Sequence, residues 1–338
     1  MFLFWIGSYP NYNRLKGLMD LFNKKKIPYG VITGSFEFPG NEYPVVYQID
    51  NRMMNDSIYN MTTSISIIIA QIGAFLKNNT KYTRAIVHAD RFENLGAAIA
   101  FSYCGLKLYH TEGGEDTGCI DDKVRNSISA LADIHLVTSE EARRKLLRMG
   151  KDNIHVVGSI ALDQVSVFLK TMSMPPGGGY ILVLYHPVTD GYEDHRPFVE
   201  AMKTLAKKYR IIWIEPNGDP GSRKIIDSIK ELKDINIDFI KTANSYAYLT
   251  MLYNCACLVG NTSSGIKEGG FMGVPYIMYG DRQKNREVDS NVIRVRTYDS
   301  IIEEVERYVG PFEPLRFTYG KIWGEGNAAE KVIEILGQ

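Results

Sequence analysis

The sequence is poor in the residues that build metal centres and disulfide frameworks. It has four cysteines among 338 residues, and its six histidines show no H-x-x-x-H spacing. Cys255 and Cys257 form a C-x-C pair in an apolar run, but no second pair completes a zinc site. We interpret the cysteines as buried, reduced thiols, which suits a cytoplasmic protein, and we predict no metal.

An excess of charge is also missing, because 39 Lys and Arg residues balance 39 Asp and Glu residues. This balance argues against binding to nucleic acid or to an anionic membrane, but it allows a basic pocket for one small anion. Long apolar runs are lacking too. The start is apolar for only six residues, so we predict no signal peptide. The run "SISIIIAQIGAFL" is short and interrupted, which favours a core helix over a membrane span.

What the chain does have is a regular alternation of short apolar runs with helical stretches. The runs are "FLFWIG", "YGVITG", "RAIVHAD", "LKLYHTE", "IHLVTS" and "IHVVGS", then "YILVLYH", "RIIWIEP", "IDFIK", "ACLVGN", "PYIMYG" and "NVIRV". This βαβ pattern predicts α/β domains with parallel sheets. The segment "MSMPPGGGY", residues 172–180, separates the two series. We therefore predict two doubly wound domains with a hinge near residue 170.

Polar residues that directly follow the apolar runs are the candidate ligand contacts, because such sheets bind ligands at the carboxyl ends of their strands. Asp90 with Arg91, Glu112, His186 and Asn217 occupy such positions. A turn aspartate beside a surface arginine and a structural histidine are the ordinary alternatives. If the two domains face each other, all these residues line one cleft.

The segment "CLVGNTSSGIKEGG" is the clearest local signal. A buried strand is predicted to end at Gly260 and a helix to begin near Ser263. Backbone N–H groups and hydroxyls at a helix start favour phosphate binding, and a plain helix cap is the alternative. Glu268, about one turn further on, is a candidate for ribose hydroxyls or an ordinary surface acid. The turn itself consists of Thr262, Ser263, Ser264 and Gly265.

The segment "HTEGGEDTGCIDDKVR", residues 110–125, holds five carboxylates in sixteen residues. A helix is predicted to begin near Asp121, where acids complement the helix dipole, and Asp121 can pair with Arg125. The dipole does not explain Glu112 and Glu115, which precede the helix in a glycine-rich loop. Converging carboxylates raise one another's pKa, as general acids and bases require. The predicted buried stripe of the helix is Ile120, Val124, Ile128 and Leu131.

Seven segments in this order resemble the UDP-N-acetylglucosamine 2-epimerase family. They are "VHADRFENLGAAIA", "HTEGGEDTGCIDDKVRNSISALADIHLV", "VGSIALD", "YHPVT", "GNTSSGIKEGGFMGVP", "GDRQKNRE" and "WGEGNAAEKVIEIL". The "EGGE" and "HPVT" forms resemble the hydrolysing branch, which makes free N-acetylmannosamine and UDP. The resemblance covers nearly the whole chain.

The resemblance implies the GT-B architecture: two Rossmann-like domains with the active site in the cleft between them. The first domain would comprise residues 1–170 joined by a helix at 322–338, and the second residues 171–321. The resemblance also implies a cytoplasmic homodimer or homotetramer that acts on a UDP-sugar in sialic-acid-type biosynthesis, with no metal or redox cofactor.

The implied reaction eliminates UDP across C1–C2 of the sugar to give a 2-acetamidoglucal. Water then adds at C1, and a proton adds at C2 from the other face. Asp90, Glu112 and Asp121 match the catalytic carboxylates of the family, and His186, which matches a diphosphate contact, joins them as a catalytic candidate. The implied substrate contacts are Arg14, Arg91, Arg125, Asn217, Thr262, Ser263, Ser264, Gly265, Glu268 and Arg282.

The chain departs from the family in the loop after its first strand. Tyr9 stands where the family usually has an arginine that contacts phosphate, and Arg14 occupies a later basic position. This leaves three alternatives open. They are a UDP-diacetamido-trideoxyhexose of a legionaminic acid route as substrate, a GT-B glycosyltransferase, and a non-catalytic sensor of nucleotide sugars.

Overall fold

A computed structural model of the chain describes residues 1–39, 41–50, 58–173, 177–188, 194–216, 221–230, 232, 236–310 and 315–337. The chain forms two compact units. The first comprises Met1–Asp116, Ile120–Gln164 and Gly324–Gln338, and the second comprises Thr117–Cys119 and Val165–Trp323. The boundary expected from the sequence pattern is residue 170, and the one implied by the family resemblance is residue 321.

The first unit is built on a seven-stranded parallel sheet with the strand order β3-β2-β1-β4-β5-β6-β7. Its strands are β1 (Phe2–Ile6), β2 (Tyr29–Thr33), β3 (Val45–Gln48), β4 (Arg84–His88), β5 (Lys107–Thr111), β6 (Ile134–Val137) and β7 (Ile154–Val156). Its helices are α1 (Tyr9–Lys24), α2 (Ile58–Lys77), α3 (Phe92–Tyr103), α4 (Asp121–Leu131), α5 (Glu140–Arg148) and α13 (Ala328–Leu336), and α6 (Ala161–Thr171) continues into the second unit.

Helices cover both faces of this sheet. Successive side chains of β1 point to opposite faces, so Phe4 packs with α1 and α13 while Trp5 packs with α2 and α3. Both residues are fully buried. Six of the seven strands coincide with the predicted apolar runs. The sequence pattern missed β3 because it is an edge strand whose side chains are mostly exposed.

Helix α2 is longer and more exposed than the predicted core helix. It spans 20 residues. The stretch Tyr59–Lys77 is long and apolar enough to cross a membrane, and only 22% of the 18-residue window tested is buried. One such helix is weak support for a membrane span, because packing helices of soluble proteins pass the same test. Its buried stripe of Ser64, Ile68, Ile72 and Leu76 follows the i, i+4 spacing of a helix that packs on a sheet layer.

The second unit is built on a six-stranded parallel sheet with the order β10-β9-β8-β11-β12-β13. Its strands are β8 (Ile181–Leu184), β9 (Ile211–Ile214), β10 (Ile237–Ile240), β11 (Cys257–Gly260), β12 (Tyr276–Tyr279) and β13 (Val292–Val295). Its helices are α7 (Arg196–Leu205), α8 (Ser222–Lys230), α9 (Ser245–Asn254), α10 (Ser263–Ile266), α11 (Glu268–Met272) and α12 (Tyr298–Tyr308). All six predicted runs are strands.

The strand order of each sheet reverses once, between β1 and β4 in the first unit and between β8 and β11 in the second. The loops that follow the two strands at such a point diverge and leave room for a ligand at the carboxyl edge. Asp90 follows β4, His186 follows β8 and Asn261 follows β11. The fold therefore brings several predicted site residues to the two switch points.

Candidate active site

Asp90 and Glu112 follow neighbouring strands of the first sheet. In the ladder between β4 and β5, His88 pairs with Thr111, so the two carboxylate residues leave the sheet side by side. The turns that present them are sharp. Ala89 has φ +58° and Glu112 has φ +62°, a left-handed conformation that costs a residue with a side chain roughly 1–2 kcal/mol.

The Glu112 carboxylate is buried and held by a serine from another strand end. The side chain is only 7% exposed, and Oε1 accepts a hydrogen bond of 2.5 Å from the Ser159 hydroxyl. The backbone N–H of Glu112 donates to the Leu136 carbonyl at 3.0 Å. These contacts fix the carboxylate at the carboxyl edge of the sheet. Ser159 lies after β7 and was not among the predicted site residues.

Arg125 forms the electrostatic centre beside Asp90. Its guanidinium is 1% exposed and donates to the carboxylates of Asp90 and Asp122, the latter at 2.5 Å, and to the Glu115 carbonyl at 2.9 Å. Burial alone lowers the pKa of a guanidinium, but the surrounding carboxylates outweigh it and the Arg125 pKa is raised. The guanidinium thus stays charged and anchors Asp90. The predicted pairing of Arg125 with Asp121 gives way to ion pairs with Asp90 and Asp122.

Helix α4 begins at Asp121, as the sequence predicted, but the predicted buried stripe is partly wrong. Ile120 precedes the helix and is 43% exposed, whereas Ile128 is fully buried. Glu115 is a further buried acid, and its carboxylate accepts a hydrogen bond of 2.9 Å from the Thr138 hydroxyl. The site prediction omitted Glu115, although the sequence had marked it as unexplained by the helix dipole.

The predicted basic residues of the first unit lie at the same edge. The Arg91 guanidinium forms a two-pronged ion pair with Glu93 at 3.0 and 3.1 Å, within the start of α3. Arg14 is half-buried in the second turn of α1. Tyr9 begins α1 and is 41% exposed, and its ring lies 5.9 Å from the ring of Tyr12. An exposed aromatic ring thus stands at the start of α1, where the family resemblance led us to expect an arginine.

In the second unit, one amide ties the two strands of the switch point together. Asn261 accepts from the His186 backbone N–H at 2.7 Å and donates to the His186 carbonyl at 2.8 Å. Asn261 is fully buried, so this pair of bonds sets the position from which the half-buried His186 side chain extends. The Arg282 guanidinium donates to the Asn261 carbonyl at 3.3 Å. Asn261 lies in the segment that the sequence marked as a candidate site, but the sequence gave it no role of its own.

The hydroxyl-rich turn begins α10 at Ser263, where the sequence predicted a helix start. Thr262 is the N-cap, and its hydroxyl accepts a hydrogen bond from the Ser264 N–H at 3.3 Å. One hydroxyl of the turn therefore caps the helix, as the alternative interpretation predicted. The Ser264 hydroxyl shares a short 2.5 Å hydrogen bond with the Tyr248 hydroxyl. A Cβ atom at Gly265 would lie 2.6 Å from the Tyr276 ring, so only glycine fits there. The Tyr276 ring therefore packs tightly against the turn, and Ser263 is the half-exposed residue of the turn.

The remaining predicted residues are distributed as follows. Glu268 begins α11 and is 6% exposed, which contradicts the surface alternative. Asn217 lies outside the described residues. Cys255 and Cys257 are buried as predicted, but Cys104 is exposed and Cys119 is half-buried, so the thiol prediction was wrong for these two. Among the described residues, no three His, Cys, Asp or Glu side chains are grouped as a metal site requires.

A sequence profile of UDP-N-acetylglucosamine 2-epimerase matches residues 36–337. The chain belongs to this family. A Legionella pneumophila relative, UDP-N,N'-diacetylbacillosamine 2-epimerase (hydrolyzing), is 31% identical over 261 residues, which are 73% of this chain and 68% of that protein. A Neisseria meningitidis UDP-N-acetylglucosamine 2-epimerase is 34% identical over 224 residues, which are 62% of this chain and 58% of that protein.

Solved structures of 2-epimerases share the fold along the full chain. The Methanocaldococcus jannaschii UDP-GlcNAc 2-epimerase, crystallised with UDP-GlcNAc and UDP, superposes with a TM-score of 0.84 at 18% identity over 100% of this chain and 99% of that one. The Neisseria meningitidis enzyme bound to UDP-GlcNAc superposes with a TM-score of 0.82 at 18% identity over 99% of both chains. These matches, with the two parallel sheets, confirm the predicted GT-B fold of this 2-epimerase family member.

Proposed function

We propose that this family member is a hydrolysing UDP-N-acetylglucosamine 2-epimerase that converts UDP-GlcNAc and water to N-acetylmannosamine and UDP. A base removes the C2 proton, the C1–O bond breaks and UDP leaves with the bonding electrons, which gives 2-acetamidoglucal. Water then bonds to C1, and C2 takes a proton on the opposite face. The proposal rests on the family and on its hydrolysing members among the relatives.

The observation that carries the proposal is the pair of carboxylates on adjacent strand ends, the half-buried Asp90 and the buried Glu112. Proton removal from C2 and its return from the other face need two groups of this kind, held rigidly on either side of one carbon. Arg125 anchors Asp90 and Ser159 anchors Glu112, so each group is oriented by its own partner. We assign the acid and base work to these two residues and Asp121.

We assign the UDP half of the substrate to the second unit. His186 and the turn from Thr262 to Gly265 would donate hydrogen bonds to the diphosphate, and Glu268 would accept hydrogen bonds from the ribose hydroxyls. Donors at a departing diphosphate contribute most where the negative charge develops. In the first unit, Arg91 and Arg14 would supply positive charge, and Arg282 and Asn217 would contact the nucleotide.

The decisive test is incubation with UDP-GlcNAc in deuterated water, followed by proton NMR. We expect UDP and N-acetylmannosamine with deuterium at C2. Glu112→Gln and Asp121→Asn should each lower kcat by about 10²–10⁴-fold, because each removes a group that transfers a proton. Glu140→Gln, which changes an exposed acid at the start of α5, is the matched control and should keep full activity.

Other outcomes of this experiment, repeated with a sugar acceptor and followed by a calorimetric titration with UDP, identify different activities. Formation of UDP-N-acetylmannosamine would move the chain to the non-hydrolysing branch. Sugar transfer to an acceptor without deuterium at C2 would show a glycosyltransferase. UDP binding by calorimetry with no UDP release over hours would show a sensor.

A UDP-diacetamido-trideoxyhexose is the second candidate substrate, and Tyr9 favours it. The exposed ring at the start of α1 offers an apolar surface, and Tyr12 behind it stacks edge-on with Phe38 at 5.2 Å. A sugar with methyl groups at C6 and on a second acetamide has more apolar surface for such a ring than UDP-GlcNAc has. The same NMR experiment with both sugars, compared by kcat/KM, decides between them.

We further propose that the enzyme is a cytoplasmic homodimer that feeds sialic-acid-type sugar synthesis. The exposed face of α2 supports the dimer, since it carries small side chains that another helix can approach closely.

A further inference from the structure

His110 is a buried imidazole in β5, two residues before Glu112. It is fully buried, with Nε2 3.0 Å from the Ala89 carbonyl oxygen and Nδ1 3.0 Å from the Ser129 hydroxyl. A carbonyl oxygen only accepts hydrogen bonds, so Nε2 carries the proton and Nδ1 accepts from Ser129. The ring therefore connects helix α4 to the residue that precedes Asp90.

The bond to Ala89 acts on the strained turn that presents Asp90. Ala89 is held in its left-handed conformation by two hydrogen bonds, one from its N–H to the Thr111 carbonyl at 2.9 Å and one from His110 to its carbonyl. A residue in this conformation persists only where its surroundings fix it. Loss of the His110 bond would let the turn relax and move the Asp90 carboxylate.

The same imidazole also supports the loop that carries Glu112. A Cβ atom at Gly113 would lie 2.8 Å from both His110 Nδ1 and the Ser129 oxygen, so this pair lies directly beneath the residue after Glu112. The two carboxylate-bearing turns thus rest on one rigid side chain. Burial lowers the pKa of His110 to about 3, so the ring stays neutral at physiological pH, keeps its Nε2 proton and transfers none in the reaction.

We infer that His110 is a positioning residue that fixes the Asp90 and Glu112 carboxylates relative to each other through the Ala89 carbonyl and Gly113. The inference rests on the proposed epimerase function and adds a residue to it. It assigns the effect to geometry, so it predicts a loss of kcat with little change in substrate binding.

The test compares two replacements of His110 that keep different halves of the ring. Gln carries its amide where His Nε2 lies and can still donate to the Ala89 carbonyl, whereas Asn reaches only the Ser129 side. We expect His110→Asn to lower kcat by about 100-fold, the loss typical of a displacement near 1 Å, and His110→Gln to stay within about fivefold of wild type. KM and the Kd for UDP should be unchanged in both.

His135→Asn is the matched control, because His135 lies opposite His110 in the ladder between β5 and β6 and is equally buried. It should lower Tm as His110→Asn does and leave kcat intact. All variants are assayed well below the lowest Tm, so that folding does not limit the rates.

The outcomes separate the two proposals. Absence of wild-type turnover on both UDP-sugars would overturn the epimerase function and the inference with it. Wild-type turnover that His110→Asn retains would overturn the inference alone, and so would equal losses in the Gln and Asn variants. A loss confined to KM would contradict the positioning role.

Discussion

At the scale of single residues, the site depends on backbone conformations that cannot be predicted from the sequence. A left-handed backbone conformation is usually found at glycine, but here Ala89 and Glu112 adopt it. Neither residue type predicts that conformation. The sequence placed Asp90 and Glu112 at strand ends, because apolar runs reveal where parallel strands stop. Their anchors, Arg125 for Asp90 and Ser159 for Glu112, come from distant chain segments and could not be predicted from local pattern.

Ser159 provides a direct test of how the Glu112 carboxylate is held. Its hydroxyl donates at 2.5 Å to a buried carboxylate, and a hydrogen bond to a charged group contributes about 1.5–3 kcal/mol. Ser159→Ala should therefore lower kcat/KM by about 10–100-fold, as measured by UDP release. Thr297→Ala, which removes the cap of α12, is the control: it should cost about 1 kcal/mol of stability and leave kcat/KM unchanged. Equal activity of the Ser159 variant and wild type would refute the anchoring role.

At the scale of secondary-structure elements, burial decided what could be predicted. Twelve strands coincide with apolar runs because both faces of a parallel sheet are covered. Strand β3 was not predicted, because it lies at the sheet edge and its side chains are mostly exposed. The short α10 and α11 were predicted as one helix, whereas the structure begins a second helix at Glu268, after Lys267. For α2, the apolar composition predicted a core helix and concealed how much of its surface faces outward.

The exposed face of α2 is the element that tests the proposed dimer. Thr62, Ser66, Ala70 and Ala74 recur every four residues along it, and all four are exposed. Two such faces can approach closely, so a charge at the centre should separate them. We expect the wild type to have the mass of a dimer by light scattering and Ala70→Glu that of a monomer.

Ala130→Glu, an exposed position on α4, is the matched control for this substitution and should remain a dimer. A monomeric wild type would refute the dimer. Recovery of the protein only in detergent would show instead that the α2 face contacts lipid.

At the scale of the whole molecule, the balance of charges and the order of motifs predicted the class of protein. The family and the α/β architecture follow from segments spread over the chain, whereas any one segment alone allowed several functions. The sequence did not predict how deeply the histidines are buried. His88, His110 and His135 lie in three adjacent strands, and their depth of burial is a property of the assembled layers that a strand pattern does not reveal.

The buried histidines make the fold sensitive to acid. Burial lowers the pKa of His110 to about 3 and that of His135 to about 4, while an unfolded histidine titrates near pH 6.5. Between pH 6.5 and about 4 the unfolded chain therefore binds protons that the folded chain does not bind. Stability is fully present above pH 6.5 and falls as the pH decreases, on the order of 1 kcal/mol per pH unit for each histidine.

Urea unfolding at pH 7.5, 6.5, 5.5 and 5.0 measures this dependence, and His135→Gln isolates one contribution, because glutamine does not titrate. The variant should be less stable than wild type at pH 7.5, yet its free energy of unfolding should fall less steeply as the pH decreases, so the two curves converge in acid. Parallel curves would mean that His135 takes up its proton equally in the folded and unfolded chains. In that case the ring would have to reach water in the folded state, and the tight packing of β6 between its neighbouring strands would be wrong.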